Sequence, residues 1–382
     1  MTTRYSSTRK MLARVVAATL AFGQVAQSVH AASTDLADMP MVAKGSVPPN
    51  MMLTLSVEWP TGTVAAYNDN TSTVAGQECP GRDGGIGVCY FESRTYLGYF
   101  DPTKCYTYDS TNNYFVPSST GTGTYQHQCT SKWSGNFLNW ATMHALDEFR
   151  YAMTGGDRYI DTSTLTVIEK AYHNGEGGYG QFPRKRVRDT AWGTVPAVAP
   201  STVTPKTWSN LYVRVTNNTT PISKSGVANS EGRVMQISSA SGFSSSVETY
   251  LVRVKVCDSS VGLESNCRQY GSSWKPTGLI QQNADKMRFG VTAYLNDDSQ
   301  DRPGGIIRSR MKFVGPNNIV PNSTPTSNAN AEISSDGTLV ANPDSADATA
   351  SGVSNSGVIN YLNKFGKPSA SYKSYDTLSE MF

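Results

Sequence analysis

Six cysteines, Cys79, Cys89, Cys105, Cys129, Cys257 and Cys267, follow a leader of the kind that carries a chain out of the cytoplasm, and this pairing constrains the fold more than any other feature. Arg4, Arg9 and Lys10 make a basic start, and Met11 to Val29 is mostly apolar, interrupted by Arg14, Gln24 and Gln27. Small residues surround Val29-His30-Ala31, so residues 1–32 read as a signal peptide cut after Ala31 or Ala32. The rival reading, a retained transmembrane anchor, needs an unbroken apolar run spanning ~30 Å of hydrocarbon, which Arg14 and the two glutamines prevent. An even number of cysteines in an oxidising compartment predicts disulfides, and no pair has the CxxC spacing of a zinc knuckle or a thiol oxidoreductase. Pairing neighbours closes the shortest loops at the least entropic cost, which favours Cys79 with Cys89, Cys105 with Cys129 and Cys257 with Cys267 over the other connectivities.

Residues 33–382 suffice for two small domains or for one larger domain with long insertions. Charged residues make up 16% of the chain, below the ~25% of ordinary globular proteins. The net charge is only +3, and the one basic triplet, Arg184-Lys185-Arg186, is expected to be a solvated loop. Nothing here predicts a nucleic-acid groove.

Along the chain, the apolar run Met51 to Val57 predicts a strand buried on both faces, stopped by Pro60. From Asn68 to about Lys132 the sequence is rich in Gly, Ser, Thr and Tyr, and it is expected to hold its shape through covalent ties more than through a core. Leu138, Ala141, Ala145, Phe149 and Ala152 recur every three or four residues and predict one helix over 136–153, capped by Ser134 or Asn136 and stopped by Gly155-Gly156. Thr164 to Tyr172 is ambiguous between helix and strand. Gln181 to Asn210, with four prolines, reads as an irregular excursion. Strands are predicted at 211–215, 250–256 and 287–295, with Ile306 to Val314 pairing beside the last. Gly315 to about Ser354 reads as a surface loop, and Val358 to Phe365 as a helix. A further helix is expected to begin at Asp376, as if the chain were the front part of something longer.

The chemistry-bearing residues do not converge. His127, His144 and His173 fall in no ligand or triad spacing, and each is expected to be an ordinary hydrogen-bonding residue. Gly175-Glu176-Gly177-Gly178-Tyr179-Gly180 lacks the Lys-Ser/Thr and the following helix of a phosphate loop. Carboxylate pairs of a glycosidase type depend on tertiary geometry, so a secreted carbohydrate-active hydrolase or binding protein, with its site in the loops between Tyr172 and Tyr250, stands as the alternative to a non-enzyme. Ten aromatic residues lie between Tyr90 and Tyr125; they either pack an otherwise core-poor segment or, with Tyr96, Tyr99, Tyr106 and Tyr114 as candidates, offer partner-binding rings.

Two segments carry a resemblance. Tyr96-Leu97-Gly98-Tyr99-Phe100-Asp101-Pro102 with Lys104-Cys105-Tyr106, then Lys132-Trp133-Ser134-Gly135-Asn136-Phe137-Leu138-Asn139-Trp140-Ala141-Thr142-Met143, resemble the PilC/PilY family of type IV pilus tip-associated adhesins. Arg288-Phe289-Gly290-Val291, Arg308-Ser309-Arg310-Met311-Lys312 and the run from Ser356 to Gly366 fit in the same order. The resemblance implies an α/β core like a von Willebrand factor A domain, with a central, mostly parallel sheet and disulfide-stapled insertions at about 60–132 and 173–250. Met51 to Val57 would be its first strand, Trp133 to Gly156 its first helix and Met287 to Leu295 a later central strand. It also implies a C-terminal β-propeller beyond this segment, where calcium would bind. The implied role is a pilus tip and biogenesis component, exported to the pilus tip, cell surface or outer membrane, with minor pilins and a host or abiotic surface ligand as partners.

One departure concerns metal. The Asp-x-Ser-x-Ser pattern that holds Mg²⁺ after the first strand of such domains is replaced here by Ser56-Val57-Glu58-Trp59-Pro60, so no cofactor is expected in this segment. Glu58 is a weak metal candidate, as are Asp297, Asp298 and Asp301, which read better as solvated turn acids.

Overall fold

A computed structural model describes residues 47–55, 64–68, 82–171, 183–215, 233–294, 305–351 and 355–364. The signal peptide, Cys79, the glycine-rich run 175–180, His173, Asp376 and all four weak metal candidates lie outside the described residues.

Chain order gives β1 (Asn50–Thr54), β2 (Arg82–Asp83), β3 (Ile86–Gly87), β4 (Lys104–Asp109), β5 (Tyr114–Thr120) and β6 (Trp133–Ser134). Two helices follow, α1 (Gly135–Thr142) and α2 (Ala145–Thr154). Next come β7 (Asp157–Asp161), β8 (Thr166–Glu169), β9 (Lys185–Arg188), the short α3 (Pro200–Val203), β10 (Asn210–Val215), β11 (Val234–Ser238), β12 (Glu248–Leu251) and β13 (Arg253–Val256). The described chain closes with β14 (Cys267–Tyr270), β15 (Ser273–Pro276), α4 (Leu279–Gln282), β16 (Arg288–Tyr294), β17 (Gly305–Lys312), α5 (Ser345–Ser351) and α6 (Val358–Lys364).

These strands build a mixed α/β fold with several sheets. A three-stranded sheet has the order β1-β16-β17, and two six-stranded sheets have the orders β12-β11-β10-β9-β3-β2 and β6-β4-β5-β13-β8-β7. The expected mostly parallel central sheet is not what the described residues form. Three pairings are parallel, β1 with β16, β13 with β5 and β3 with β9, and eleven are antiparallel. The cause is local: β4 meets β5, and β14 meets β15, across tight turns, and a short connection can only return a strand antiparallel to its predecessor.

Two apolar cores organise these sheets. In the larger, Phe137, Leu138, Trp140 and Ala141 of α1 join Tyr106 and Phe115 from one six-stranded sheet with Leu211, Val213 and Ile237 from the other. Each fully buried ring there contributes about 1.5–3 kcal/mol. The segment 82–132 is therefore held by an aromatic core as well as by cystine, where covalent ties were expected to outweigh a core. The smaller core joins Phe289, Val291 and Ala293 of β16 to Leu146 of α2, Ile280 of α4 and Val358, Ile359 and Leu362 of α6.

The expected single helix over 136–153 is two helices. Met143 and His144 have extended backbones, and a capping box restarts the chain: His144 Nδ1 accepts from Leu146 N–H, and the Asp147 carboxylate accepts from His144 N–H at 2.9 Å. Ser134 caps α1, accepting from Phe137 N–H, and Gly155, at φ 75°, ends α2. The break lets α1 serve the larger core and α2 the smaller.

Four other expectations change in detail. β1 is not buried on both faces, because Met51 and Met52 are 38% and 44% exposed and its only described sheet neighbour is β16. The excursion 181–210 contains β9 and α3. The strand expected at 250–256 is divided at Val252, so that β12 joins one six-stranded sheet and β13 the other. The stretch 315–354 contains α5 and buries Ile333. The ambiguous segment 164–172 holds a strand, β8, while β10, β16, β17 and α6 fall where expected.

Candidate functional site

The two motif-bearing segments meet as the halves of one clamp. α1 presents Asn136 and Asn139, three residues apart and so on one face, to the backbone of 94–100. Asn139 Oδ1 accepts from Phe100 N–H at 3.1 Å, while its Nδ2 donates to Tyr96 O at 2.8 Å and Phe100 O at 2.7 Å. Asn136 Oδ1 accepts from Tyr96 N–H at 2.7 Å, and its amide nitrogen reaches the Tyr90 hydroxyl and Arg94 O. Gly98 crosses between them at φ +148°, where a Cβ would lie 2.5 Å from Asn139 Oδ1, so the close approach requires glycine.

Tyr96, Tyr99, Tyr106 and Tyr114 are buried, at 1%, 3%, 1% and 9% exposure. Their chemistry is turned inward: the Tyr96 hydroxyl accepts from Phe91 N–H and donates to Cys89 O, and the Tyr106 hydroxyl accepts from Asp101 N–H. Phe100 packs edge-on to Tyr106 and Phe115 at 5.3 and 5.4 Å. Packing is thus the observed role of these rings, and Tyr125 and Tyr159 are the exposed tyrosines among the described residues.

The two described histidines are structural as well. His127 is buried and its Nδ1–H donates to Glu92 O, and His144 is the cap of α2. Lys185, expected in a solvated loop, is 1% exposed. Alternation along β9 turns Lys185 and Val187 inward, and the ammonium donates to Trp140 O with the indole 4.9 Å away. The outward Arg186 pairs with Asp83.

A buried charge cluster anchors α2. Asp147 accepts from Lys170 Nζ at 3.1 Å and from Ala171 N–H at 2.6 Å, and Arg150 Nε donates to Leu362 O. Burial pulls the Lys170 ammonium below its ordinary pKa, against the attraction of Asp147. Beside them Glu148 is pushed up to about 8, first by burial and then by Asp147.

Cys105 is bonded to Cys129 and Cys257 to Cys267, as expected; the third expected pair includes Cys79 and lies outside the described residues. Among the described residues the group whose side-chain atoms come close enough for a cation is Cys257, Glu264 and Cys267, but both sulfurs are committed to the disulfide. Glu264 itself accepts from Cys257 N–H and, at 2.7 Å, from the buried Lys104 ammonium.

Two of the clefts among the described residues lie against the six-stranded sheets. One, of about 420 Å³, is walled by Tyr99, Asp101, Pro102, Tyr151, Glu264 and Pro276. Its carboxylates, Asp101 and Glu264, share the Lys104 ammonium at 3.8 and 2.7 Å. The other, of about 500 Å³, runs past Tyr108, Trp133, Glu248 and Tyr250. No sequence pattern announces either cleft, because their walls come from strands distant in the chain.

The family described as the PilY1 homolog small alpha/beta domain matches residues 87–239, the stretch that holds the clamp and most of the two six-stranded sheets. A protein of Xylella fastidiosa (strain Temecula1) named "Type IV pilus biogenesis factor PilY1 homolog" is 34% identical over 388 residues, covering 94% of this chain and 29% of its own length. A second protein of the same name and organism is 28% identical over 281 residues, covering 64% of this chain and 18% of its own. The chain therefore spans less than a third of the length of these curated relatives. No solved structure matches it. Residues 87–239 thus match the PilY1-homolog family, and the similarity to the first of these relatives extends over most of the chain.

Proposed function

We propose that this chain is part of an exported, non-enzymatic type IV pilus biogenesis component that acts at the pilus tip, supports pilus assembly and mediates attachment to surfaces. The observation that carries this reading is the 34% identity running over 94% of the chain to a protein named for type IV pilus biogenesis. The cystines and the signal-like leader support export, since such bonds persist outside the cytoplasm. Among the described residues no helix is long and apolar enough to cross a membrane.

The partners in this reading are minor pilins and a host or abiotic surface ligand. The three-stranded sheet supports a domain reading in which one core carries long insertions. β1 runs parallel to β16 although 233 residues separate their ends, with α2 and α6 packed on β16. That is the arrangement expected of a von Willebrand A-like core whose first crossover has been expanded by the two six-stranded sheets.

Deleting the gene and counting surface pili tests the role. Loss of pili and of surface attachment, both restored by the whole gene, is the expected result. Normal piliation and attachment in the deletant would refute it.

A further inference from the structure

The larger cleft opens where the edge of the main aromatic core meets a fixed carboxylate. Tyr108, Trp133 and Tyr250 form its floor with rings set nearly at right angles, Tyr250 lying 4.9 Å from Tyr108 at 88° and 5.1 Å from Trp133 at 71°. These rings are locked: the Tyr108 hydroxyl accepts from Leu251 N–H at 3.1 Å, and the Tyr250 hydroxyl donates to Glu248 Oε2. The second oxygen of Glu248 accepts from the Lys206 ammonium, so a fixed, charge-compensated carboxylate stands at the edge of the aromatic floor. Exposed Thr107, Ser110 and Ser131 supply hydroxyls around the rim, with half-buried Lys132 beside them.

We propose that this cleft binds an oligosaccharide, the C–H faces of separate pyranose units against Tyr108 and Tyr250 and its hydroxyls hydrogen-bonded to Glu248 and the rim. This rests on the reading of the chain as a surface-contacting pilus component and names the ligand chemistry of that contact. Sugars combine an apolar face with a girdle of hydroxyls, and they are bound by aromatic rings bordered by a few fixed polar groups. A carboxylate held in place by Lys206 accepts hydroxyl protons without reorganising on binding. A proline-rich peptide is the other occupant an aromatic groove admits. A proline-rich backbone is short of N–H donors and makes little use of the carboxylate and the hydroxyl rim, which favours the sugar.

Saturation-transfer NMR and calorimetry on the full chain, with maltotriose, cellotriose, triacetylchitotriose and 3′-sialyllactose as probes, test the proposal. The expected result is saturable binding of at least one probe, weakened about tenfold or more in Glu248→Gln and Tyr250→Ala. Tyr250 also touches core rings, so Ser110→Trp, at an exposed rim position, provides a variant that blocks the cleft without touching the core. It should abolish binding and leave the circular dichroism spectrum and melting temperature unchanged. No saturable binding of any probe up to ~10 mM, binding unaffected by Ser110→Trp, or preference for a polyproline peptide would each overturn the proposal. Piliation of cells carrying Ser110→Trp separates the two readings: loss of sugar binding with intact pili leaves the biogenesis role standing, whereas a pilus-independent protein that still binds sugar refutes only that role.

Discussion

Asn139 shows how much of this fold rests on single polar side chains. It pairs three buried backbone groups of the 96–100 segment. Asn139→Ala is therefore expected to cost about 3 kcal/mol or more in denaturant unfolding, since each unpaired buried group costs ~1–3 kcal/mol. Glu148 makes a different prediction. Its folded pKa of about 8 stands above the ordinary 4.5, so the folded state keeps a proton that the unfolded chain has released. Stability should then fall as pH rises from 4.5 to about 8, because the unfolded state binds fewer protons there. Glu148→Gln should flatten that part of the curve, giving a smaller drop in melting temperature between pH 5 and pH 8 than the unsubstituted chain; an equal drop in both would show that the carboxyl does not titrate this way. The Asn and Tyr positions were visible in the sequence as motif residues, and packing was one of the two readings of the tyrosines, but the hydrogen bonds that turn them inward were not visible. A tyrosine in a glycine-rich stretch looks alike whether its hydroxyl meets water or a backbone amide.

At the level of elements, periodicity located helices and strands and failed where two cores compete for one segment. Ala145 and Phe149 continue the spacing set by Leu138 and Ala141, so the pattern could not reveal that the chain restarts at His144. The signal that could have done so was Asp147, three residues beyond His144, completing a capping box whose first residue is an unusual one. Likewise Tyr250 to Val256 alternates cleanly in sequence, yet Val252 turns its amide to Arg233 O and the strand divides between two sheets. α6 depends on a residue far from it in sequence: the buried Glu332 carboxylate accepts from Val358 N–H and Ile359 N–H, both at 2.8 Å. Glu332→Ala should remove this cap at a cost of about 1–2 kcal/mol, and amide exchange at Val358 and Ile359 should accelerate well beyond that of β10. Unchanged protection of those two amides would contradict the assignment.

For the whole molecule, the cystines were the most legible feature. The two described bonds join the neighbours that loop entropy favours, each expected to add ~2–4 kcal/mol. Replacing Cys105 and Cys129 together by alanine should lower the denaturant midpoint accordingly, and reducing agent should lower the midpoint further in the unsubstituted protein than in the variant, which has already lost that bond. The sheet architecture was less legible, because strand order between distant segments leaves no local trace: nothing in 185–188 announces a partner at 87, nor in 254 a partner at 115. The candidate clefts share that origin. Function entered through motifs whose structural job is to hold one clamp together, which is why they mark the family and not the ligand. The most direct measurement of the pilus-tip role is immunogold electron microscopy of sheared pili from cells producing the epitope-tagged whole protein. Label concentrated at pilus ends is the expected result, and label confined to the cytoplasm, with bare pili, would contradict it.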